Sequence, residues 1–176
     1  MSLRSAMEWL ARGLAMLGGF VLLIITVLTC VSITGRAMIP LGLGPVPGDF
    51  ELVEAGAGFA IFCFLPWCQF SRGHAAVDLF TSFFSDGINR FIDVVAELAM
   101  TIVVFLIAWR LAIGTGDKMR YEETTFILQF PVWWAYAAGL FGALAGCVVT
   151  VYVLYERVRE LITGHSVAGP ATGAIH

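Results

Sequence analysis

Charged residues are scarce in this sequence, at 13% of 176 residues, whereas hydrophobic residues make up 59%. Soluble globular domains carry about 25% charged and about 45–50% apolar residues. The chain also lacks a basic patch, because its ten Lys and Arg are scattered and the formal net charge is −3. This composition excludes an ordinary soluble domain and argues against nucleic acid as a partner. It predicts an integral membrane protein.

Catalytic and cofactor-binding motifs are also missing. The sequence has no GxSxG, HExxH, Walker A or dinucleotide-binding fingerprint. His74 lies at a predicted helix end and the other two histidines lie in the polar tail, which argues against bis-histidine haem ligation. All four cysteines lie in apolar runs without a C-x-x-C pair: Cys30, Cys63, Cys68 and Cys147. They are interpreted as packing thiols. Neither an enzyme nor a cofactor is expected.

Long hydrophobic runs are what the sequence does contain. A helix needs about 20 apolar residues to cross roughly 30 Å of hydrocarbon, so four spans nearly use up the chain. The predicted spans cover about residues 14–34, 50–70, 91–113 and 131–155. The first is too long for a signal-peptide core, so we do not expect it to be cleaved. The prediction is an all-α membrane protein with one four-helix domain, residues 1–162, and a flexible tail, residues 163–176.

The segment between the second and third spans has a different pattern. In AAVDLFTSFFSDGINRF, apolar residues favour one helical face and polar residues the other. This predicts a short amphipathic helix over about residues 76–90 that lies in the membrane interface. Arg72, His74 and Asp78 lie at the foot of the second span. Taken alone, they fit a solvated loop that is anchored by a snorkelling arginine.

Ionisable residues near the outer ends of the spans predict a charge pair. Glu51 and Glu54 share one face of the second span, and Arg110 lies near the outer end of the third. A charge at membrane depth costs several kcal/mol unless it is paired or faces protein. If the two spans form an antiparallel hairpin, Glu54 and Arg110 are expected to meet.

A second charge cluster is predicted at the inner end of the same two spans. Arg90, Asp93 and Glu97 lie on one helical face, and Arg72 is expected at a similar depth on the neighbouring helix. The alternative is a proton or ion relay, which requires carboxylates across the whole membrane. The middle of the first and fourth spans offers only threonines, so the relay is disfavoured.

Small residues form stripes on two of the spans. Ala138, Gly142 and Gly146 follow an A-x-x-x-G-x-x-x-G pattern in the fourth span, and Gly56 and Ala60 are spaced similarly in the second. Such stripes allow close helix approach. They fit packing inside the four-helix domain, and a partner helix remains the alternative.

The orientation follows from the distribution of Lys and Arg. With the N-terminus inside, six lie on the cytoplasmic side and four outside, a weak majority that favours cytoplasmic termini.

Pro131 occupies a position that tolerates proline at a helix start. Trp133 follows it at the level of the membrane interface.

Two segments resemble the small membrane subunit of tripartite ATP-independent periplasmic (TRAP) transporters. The first, GDFELVEAGAGFAIFCFLPWCQFSRGHAAVDLF, resembles the family at Gly48, Glu51, Leu52, Phe64, Leu65, Arg72, His74, Val77 and Asp78. The second, EETTFILQFPVWWAY, resembles it at Glu123, Thr124 or Thr125, Leu128, Pro131, Trp133 or Trp134, and Tyr136. The departures are Gln129-Phe130, where the family more often has an aliphatic residue before the proline, and Pro66 inside the second span.

The resemblance implies an accessory role in transport. The family's small subunit pairs in the bacterial inner membrane with a large permease subunit that carries the substrate and sodium sites. A periplasmic binding protein delivers an organic acid, and the sodium gradient drives its uptake. Membrane lipids are further partners. In this setting Arg72, His74 and Asp78 are expected to be structural pins, with Asp78 near the N-terminus of the interfacial helix. A membrane anchor of a redox enzyme and a self-assembling channel are the alternatives.

Overall fold

The computed structural model describes residues 3–71 and 86–163, with side chains except at residues 86–90. Four long helices account for most of this part of the chain: α1 (Leu3–Ala37), α2 (Asp49–Phe70), α3 (Asp86–Arg120) and α4 (Trp133–Thr163). A 3₁₀ turn, Ile39–Leu41, follows α1. All four helices are long and apolar enough to cross a membrane. The prediction of an all-α membrane protein is confirmed.

Three of the helices extend well beyond the predicted apolar spans. The helix α1 begins at Leu3, α3 continues to Arg120 and α4 to Thr163. These extensions contain charged residues, so a hydropathy criterion stops before them. Their backbone hydrogen bonds are nevertheless made within the helix, as they must be near the membrane.

The predicted interfacial helix is not confirmed. Residues 86–90, assigned to it from the sequence, form the first turns of α3 instead. Residues 76–85 lie outside the described part of the chain, as do Arg72, His74 and Asp78. The predicted tail, residues 163–176, lies outside the described part of the chain apart from Thr163, the last residue of α4.

The helix α4 lies at the centre of the bundle. It packs against α3 on one side and α2 on the other, while α1 packs mainly against the far side of α2. One buried cluster joins Val104 and Ala108 of α3 to Ala143 and Cys147 of α4. Phe62 and Leu65 of α2 pack against that cluster. The order across the bundle is therefore α1, α2, α4, α3, with α2 and α4 running parallel.

Small residues bring α1 close to α2. A Cβ atom at Gly18 would lie 2.9 Å from Cys63 Cβ and 3.2 Å from the Ala60 carbonyl oxygen. Seven residues along α1, Ile25 lies against Gly56. Because close backbone approach is the main source of helix association in lipid, these contacts stabilise the antiparallel α1 and α2 pair.

The two ends of the bundle are defined by its contacts. At one end, Ala11 near the start of α1 packs with Val149 and Val153 of α4, and with Trp67 of α2. We name this the terminal end. At the other end, the loops after α1 and α3 meet the start of α2, and we name this the loop end. Both ends of the described chain thus lie on one side of the bundle.

Candidate functional site

A group of polar side chains links α2, α3 and α4 near the terminal end. It consists of Gln69, Asp93, Glu97, Arg157 and Glu160, and we name it the terminal clamp. Arg157 Nη1 donates a hydrogen bond of 2.8 Å to Asp93 Oδ2 and lies 3.6 Å from Glu160 Oε2. Gln69 Nε2 donates to Glu97 Oε1. The clamp therefore ties three helices together through side chains alone.

The terminal clamp is largely withdrawn from solvent. Gln69 is 2% exposed and Glu160 is 5% exposed, and the Arg157 side chain is 15% exposed. Buried charges are costly unless they are paired and hydrogen-bonded. Arg157 is both paired and hydrogen-bonded through Asp93, whose side chain is 43% exposed, and its 3.6 Å ion pair places a cation beside the buried Glu160. Removing Arg157 would leave the Glu160 carboxylate buried without this cation.

The structure agrees only in part with the predicted inner cluster. Asp93 and Glu97 do lie in one polar group, in which Arg157 of α4 and Gln69 of α2 are partners that the sequence did not predict. The predicted approach of Arg72 lies outside the described residues. Arg90 belongs to the first turn of α3, and its side chain is outside the described part of the structure. The sequence signal that was missed is the i, i+3 pair Arg157 and Glu160, together with a lone glutamine in an apolar span.

At the loop end, the Glu51 carboxylate binds the backbone of the loop between α3 and α4. Glu51 accepts hydrogen bonds from the backbone N–H groups of Ile127 (2.6 Å) and Leu128 (2.9 Å). The α3–α4 loop turns back on itself, with a β-bridge between Thr124 and Pro131. The Leu128 side chain packs directly on Gly48, where φ is +74° and a Cβ would collide with it. Glu51 is thus a loop anchor.

A second contact at the loop end joins α1 to α2. The Ser32 hydroxyl donates to Asp49 Oδ2 and accepts from the backbone N–H of Val46. Arg36 lies 4.0 Å from the same carboxylate oxygen. Ser32 is 1% exposed, so a buried hydroxyl fixes the path of the α1–α2 loop. Sequence reasoning missed it, because a single serine at the end of a span carries no pattern.

The predicted pair of Glu54 and Arg110 is not present. Both side chains are exposed, and neither forms a salt bridge with another described residue. The physical reason is the central position of α4, which separates α2 from α3. Glu54 lines one cleft and Arg110 lines a neighbouring one.

The small-residue stripe of α4 packs inside the bundle. A Cβ at Gly142 would lie 2.9 Å from the Phe62 backbone carbonyl carbon, and one at Gly146 would lie 3.0 Å from Leu65 Cδ2. Gly139, outside the predicted stripe, is equally close to the Phe62 ring. The stripe therefore packs on α2, and it is not left free for a further helix.

Pro131 and Trp133 mark the start of α4. The Pro131 carbonyl accepts a hydrogen bond of 3.1 Å from the N–H of Trp134, as in a helix cap. The rings of Trp133 and Trp134 meet edge to face at 6.1 Å. An indole pair at a helix start suits the membrane interface, where aromatic side chains concentrate.

A cleft near the loop end is lined by α2, α4 and the α3–α4 loop, with Leu111 of α3 at one edge. Its volume is 560 Å³, and most of the lining is apolar. The α3–α4 loop borders it at the loop end through Phe126 and Phe130. Phe126 is 91% exposed, although hydrogen bonds fix its loop on both sides.

Comparison with protein families identifies the chain's relatives. The family model described as "Tripartite ATP-independent periplasmic transporters, DctQ component" matches residues 25–160. This range covers the last third of α1, the whole of α2 and α3 and nearly all of α4, and therefore includes the terminal clamp and the Glu51 anchor. Neither the comparison with curated proteins nor that with solved structures gives a significant match.

Proposed function

Because this chain belongs to the DctQ component family of tripartite ATP-independent periplasmic transporters, the small membrane components of these systems, we propose that it scaffolds the large permease subunit. In this proposal the large subunit carries the substrate and sodium sites. A periplasmic binding protein delivers an organic acid, and the sodium gradient drives its uptake. The small subunit has no cofactor and no chemistry of its own.

The observation that carries the scaffold role is how the helices are held together. Glycines bring α1 to α2 and α2 to α4 at backbone contact, and the terminal clamp ties three helices at one end. The middle of the described bundle is filled by apolar side chains such as Val104, Ala143 and Val149. A bundle whose helices are in backbone contact and whose middle is apolar supports a neighbour, whereas a transport path needs polar groups along its length.

The orientation in the membrane is part of the proposal. We place the terminal end in the cytoplasm of a bacterial inner membrane and the loop end in the periplasm. The described helices place five Lys or Arg positions toward the terminal end and four toward the loop end, and this small majority supports the assignment by the positive-inside rule: Arg4, Arg12, Arg90, Arg157 and Arg159 against Arg36, Arg110, Lys118 and Arg120. The anchored α3–α4 loop would then face the periplasm, where a binding protein docks. Attaching a membrane-impermeant label to single cysteines in that loop and near Leu3 tests the orientation.

Reconstituted uptake tests the scaffold role. The large permease, purified with and without this chain, is placed in proteoliposomes with the cognate binding protein and an inward sodium gradient. We expect uptake of the organic acid only when both membrane subunits are present. Variants that loosen the bundle should lower uptake in proportion to the lost complex. Full uptake by the large subunit alone would overturn the proposal.

A further inference from the structure

Arg110 is a charged residue on the outer surface of α3 that the described bundle leaves unpaired. Its side chain is exposed, and it forms no salt bridge with another described residue. The helix α3 packs mainly against α4 and lies at one edge of the bundle, so its opposite side is uncovered. A charge on that side is costly if it lies below the membrane interface, unless another protein pairs it.

The depth of Arg110 follows from the contact of its neighbour Leu111. The Leu111 side chain lies 3.5 Å from the position of a Cβ at Gly139, and Gly139 is about 9 Å further along α4 than Trp133. The edge-to-face pair of Trp133 and Trp134 suits the membrane interface. The backbone of Arg110 therefore lies about 9 Å below the level of this pair, within the hydrocarbon.

The direction of α3 keeps the Arg110 cation at this depth. The N-terminal part of α3 belongs to the terminal end, where Asp93 contributes to the terminal clamp. The Cα–Cβ bond of a helical residue tilts toward the helix N-terminus, so the Arg110 side chain leaves the backbone away from the nearer interface. The cleft that Arg110 lines agrees with this direction, because it continues on the N-terminal side along Val103, Leu106 and Ile107. Snorkelling to the loop-end interface would have to reverse it.

The uncovered face of α1, at the other edge of the bundle, provides a comparison. Between Arg12 and Arg36 this helix has no charged residue, so acyl chains alone can cover it. At the depth of Arg110 a lipid offers only its uncharged acyl chains, because its phosphate lies at the interface. A protein helix can carry a carboxylate to that depth. The edge formed by α1 therefore suits lipid, and the edge formed by α3 suits a protein with a negative charge.

We propose that α3 is the face on which the large permease subunit docks, through a transmembrane helix that presents a carboxylate to Arg110. Apolar side chains of that helix lie against Val103, Leu106 and Ile107. The two proteins together shield the ion pair from lipid, and pairing is what makes a buried charge tolerable. This inference rests on the proposed function, which supplies the partner, and it adds the face and the charge by which the two subunits meet.

Photo-cross-linking from matched positions on the two edges tests the face. Ile107 of α3 is 39% exposed and Leu17 of α1 is 44% exposed. They lie at similar depths, because their neighbours Ala108 and Gly18 both pack beside the middle of α2. A photo-cross-linking amino acid is introduced at each position, and native membranes that contain the whole transporter are irradiated.

We expect the permease to be cross-linked from Ile107 and not from Leu17. Absence of a permease product from Ile107 would overturn the assigned face, whether the product found is a lipid adduct, a second copy of this chain or a link from Leu17 instead.

Arg110→Gln tests the charge. We expect the amount of permease that co-purifies with the chain to fall about tenfold, and Arg110→Lys to keep most of it. Arg120→Gln, at the exposed end of α3, is the matched control and should change nothing. Thermal unfolding of the chain alone should be the same in all of these variants, which separates lost docking from lost folding. Equal recovery of permease from Arg110→Gln and Arg120→Gln would overturn the ion pair.

Exchange of the two charges tests the identity of the partner carboxylate. Arg110→Glu should release the permease, and a lysine in place of the acidic permease residue nearest to the Ile107 cross-link should restore binding. If binding is not restored while the wild type still retains its permease, the ion pair is wrong and the proposed function stands. A wild-type preparation that holds no permease would overturn both.

Discussion

The two ends of the bundle are held by different kinds of contact. At the terminal end, buried side chains of three helices bind one another through Arg157 and Gln69. At the loop end, the Glu51 carboxylate accepts hydrogen bonds from backbone N–H groups, and the Ser32 hydroxyl likewise accepts one from the Val46 N–H. The first arrangement fixes how helices lie relative to one another. The second fixes the conformation of the loops, and so each end has a separate task.

The comparison also separates two sources of stability. Glycine contacts in the middle of the bundle set the distance between helices and cannot be replaced by a larger side chain. Polar contacts at the ends add to this stability, and each of them can be removed by itself. We therefore expect core glycine variants to have the largest effects, followed by the terminal clamp, the Glu51 anchor and the Ser32 contact.

Gly142→Leu should have the largest effect. Its Cβ would lie 2.9 Å from both the backbone carbon and the Cβ of Phe62, so α2 and α4 must move apart. Overpacking of this kind costs about 1–3 kcal/mol or more. Thermal unfolding in detergent should show a large loss of stability. Gly13→Leu, where a Cβ meets nothing within 4 Å, serves as the control and should unfold like the wild type.

Arg157→Met tests the terminal clamp. It leaves Glu160 buried without this cation. Breaking a fully buried pair costs about 3–5 kcal/mol, but the Asp93 side chain is 43% exposed and the Glu160 contact is 3.6 Å long, so we expect a loss of about 1–2 kcal/mol. Unfolding should occur at a lower denaturant concentration than in the exposed control Arg159→Met. Adding Glu160→Gln should restore part of the loss. An Arg157→Met variant as stable as its control would show that the clamp does not hold the helices.

Glu51→Gln tests the loop anchor, and Glu54, a carboxylate one turn further along α2, provides the control. The amide keeps one acceptor oxygen where the carboxylate has two, so about 1–2 kcal/mol of local stability should be lost. Hydrogen exchange at the Ile127 and Leu128 amides should become faster, while the core remains protected. Glu54→Gln, which breaks no contact with a described residue, should leave both amides unchanged. Equal exchange in the two variants would contradict the anchor.

Ser32→Ala should have the smallest effect. It removes one bond to Asp49 and one from Val46, and a typical hydrogen bond contributes about 1 kcal/mol net. The expected result is faster hydrogen exchange in residues 42–48 with little change in global stability. Thr34→Ala, whose hydroxyl bonds only within its own helix, is the control. A global loss as large as that of Arg157→Met would show that the two ends do not differ as described.

The sequence predicted the number of helices and their nature because each span is a long apolar run. It underestimated their length, since the polar turns beyond Leu14 toward Leu3 and beyond Ile113 carry no hydropathy signal. Neighbouring spans were expected to pair, which led to the incorrect pairing of Glu54 with Arg110. Three glycines of α4 allow α2 to approach to backbone distance and so bring α4 beside α2 in the bundle: Gly139, Gly142 and Gly146.

The candidate site was predictable only where a pattern exists. Asp93 and Glu97 share a helical face, so their grouping follows from spacing. Their partners on α2 and α4 depend on helix order, which local sequence does not encode. Glu51 stood out as a charge at a span end, yet its acceptance of two backbone N–H groups requires a loop conformation with Gln129 at φ +56°.

The most direct test of the scaffold role is co-purification from the native membrane in mild detergent, with mass spectrometry of the eluted proteins. The account predicts one large polytopic permease in a one-to-one ratio with this chain, and loss of that permease from Gly142→Leu but not from Gly13→Leu. Elution of the chain as an oligomer of itself, or together with a haem- or flavin-bearing enzyme, would contradict it.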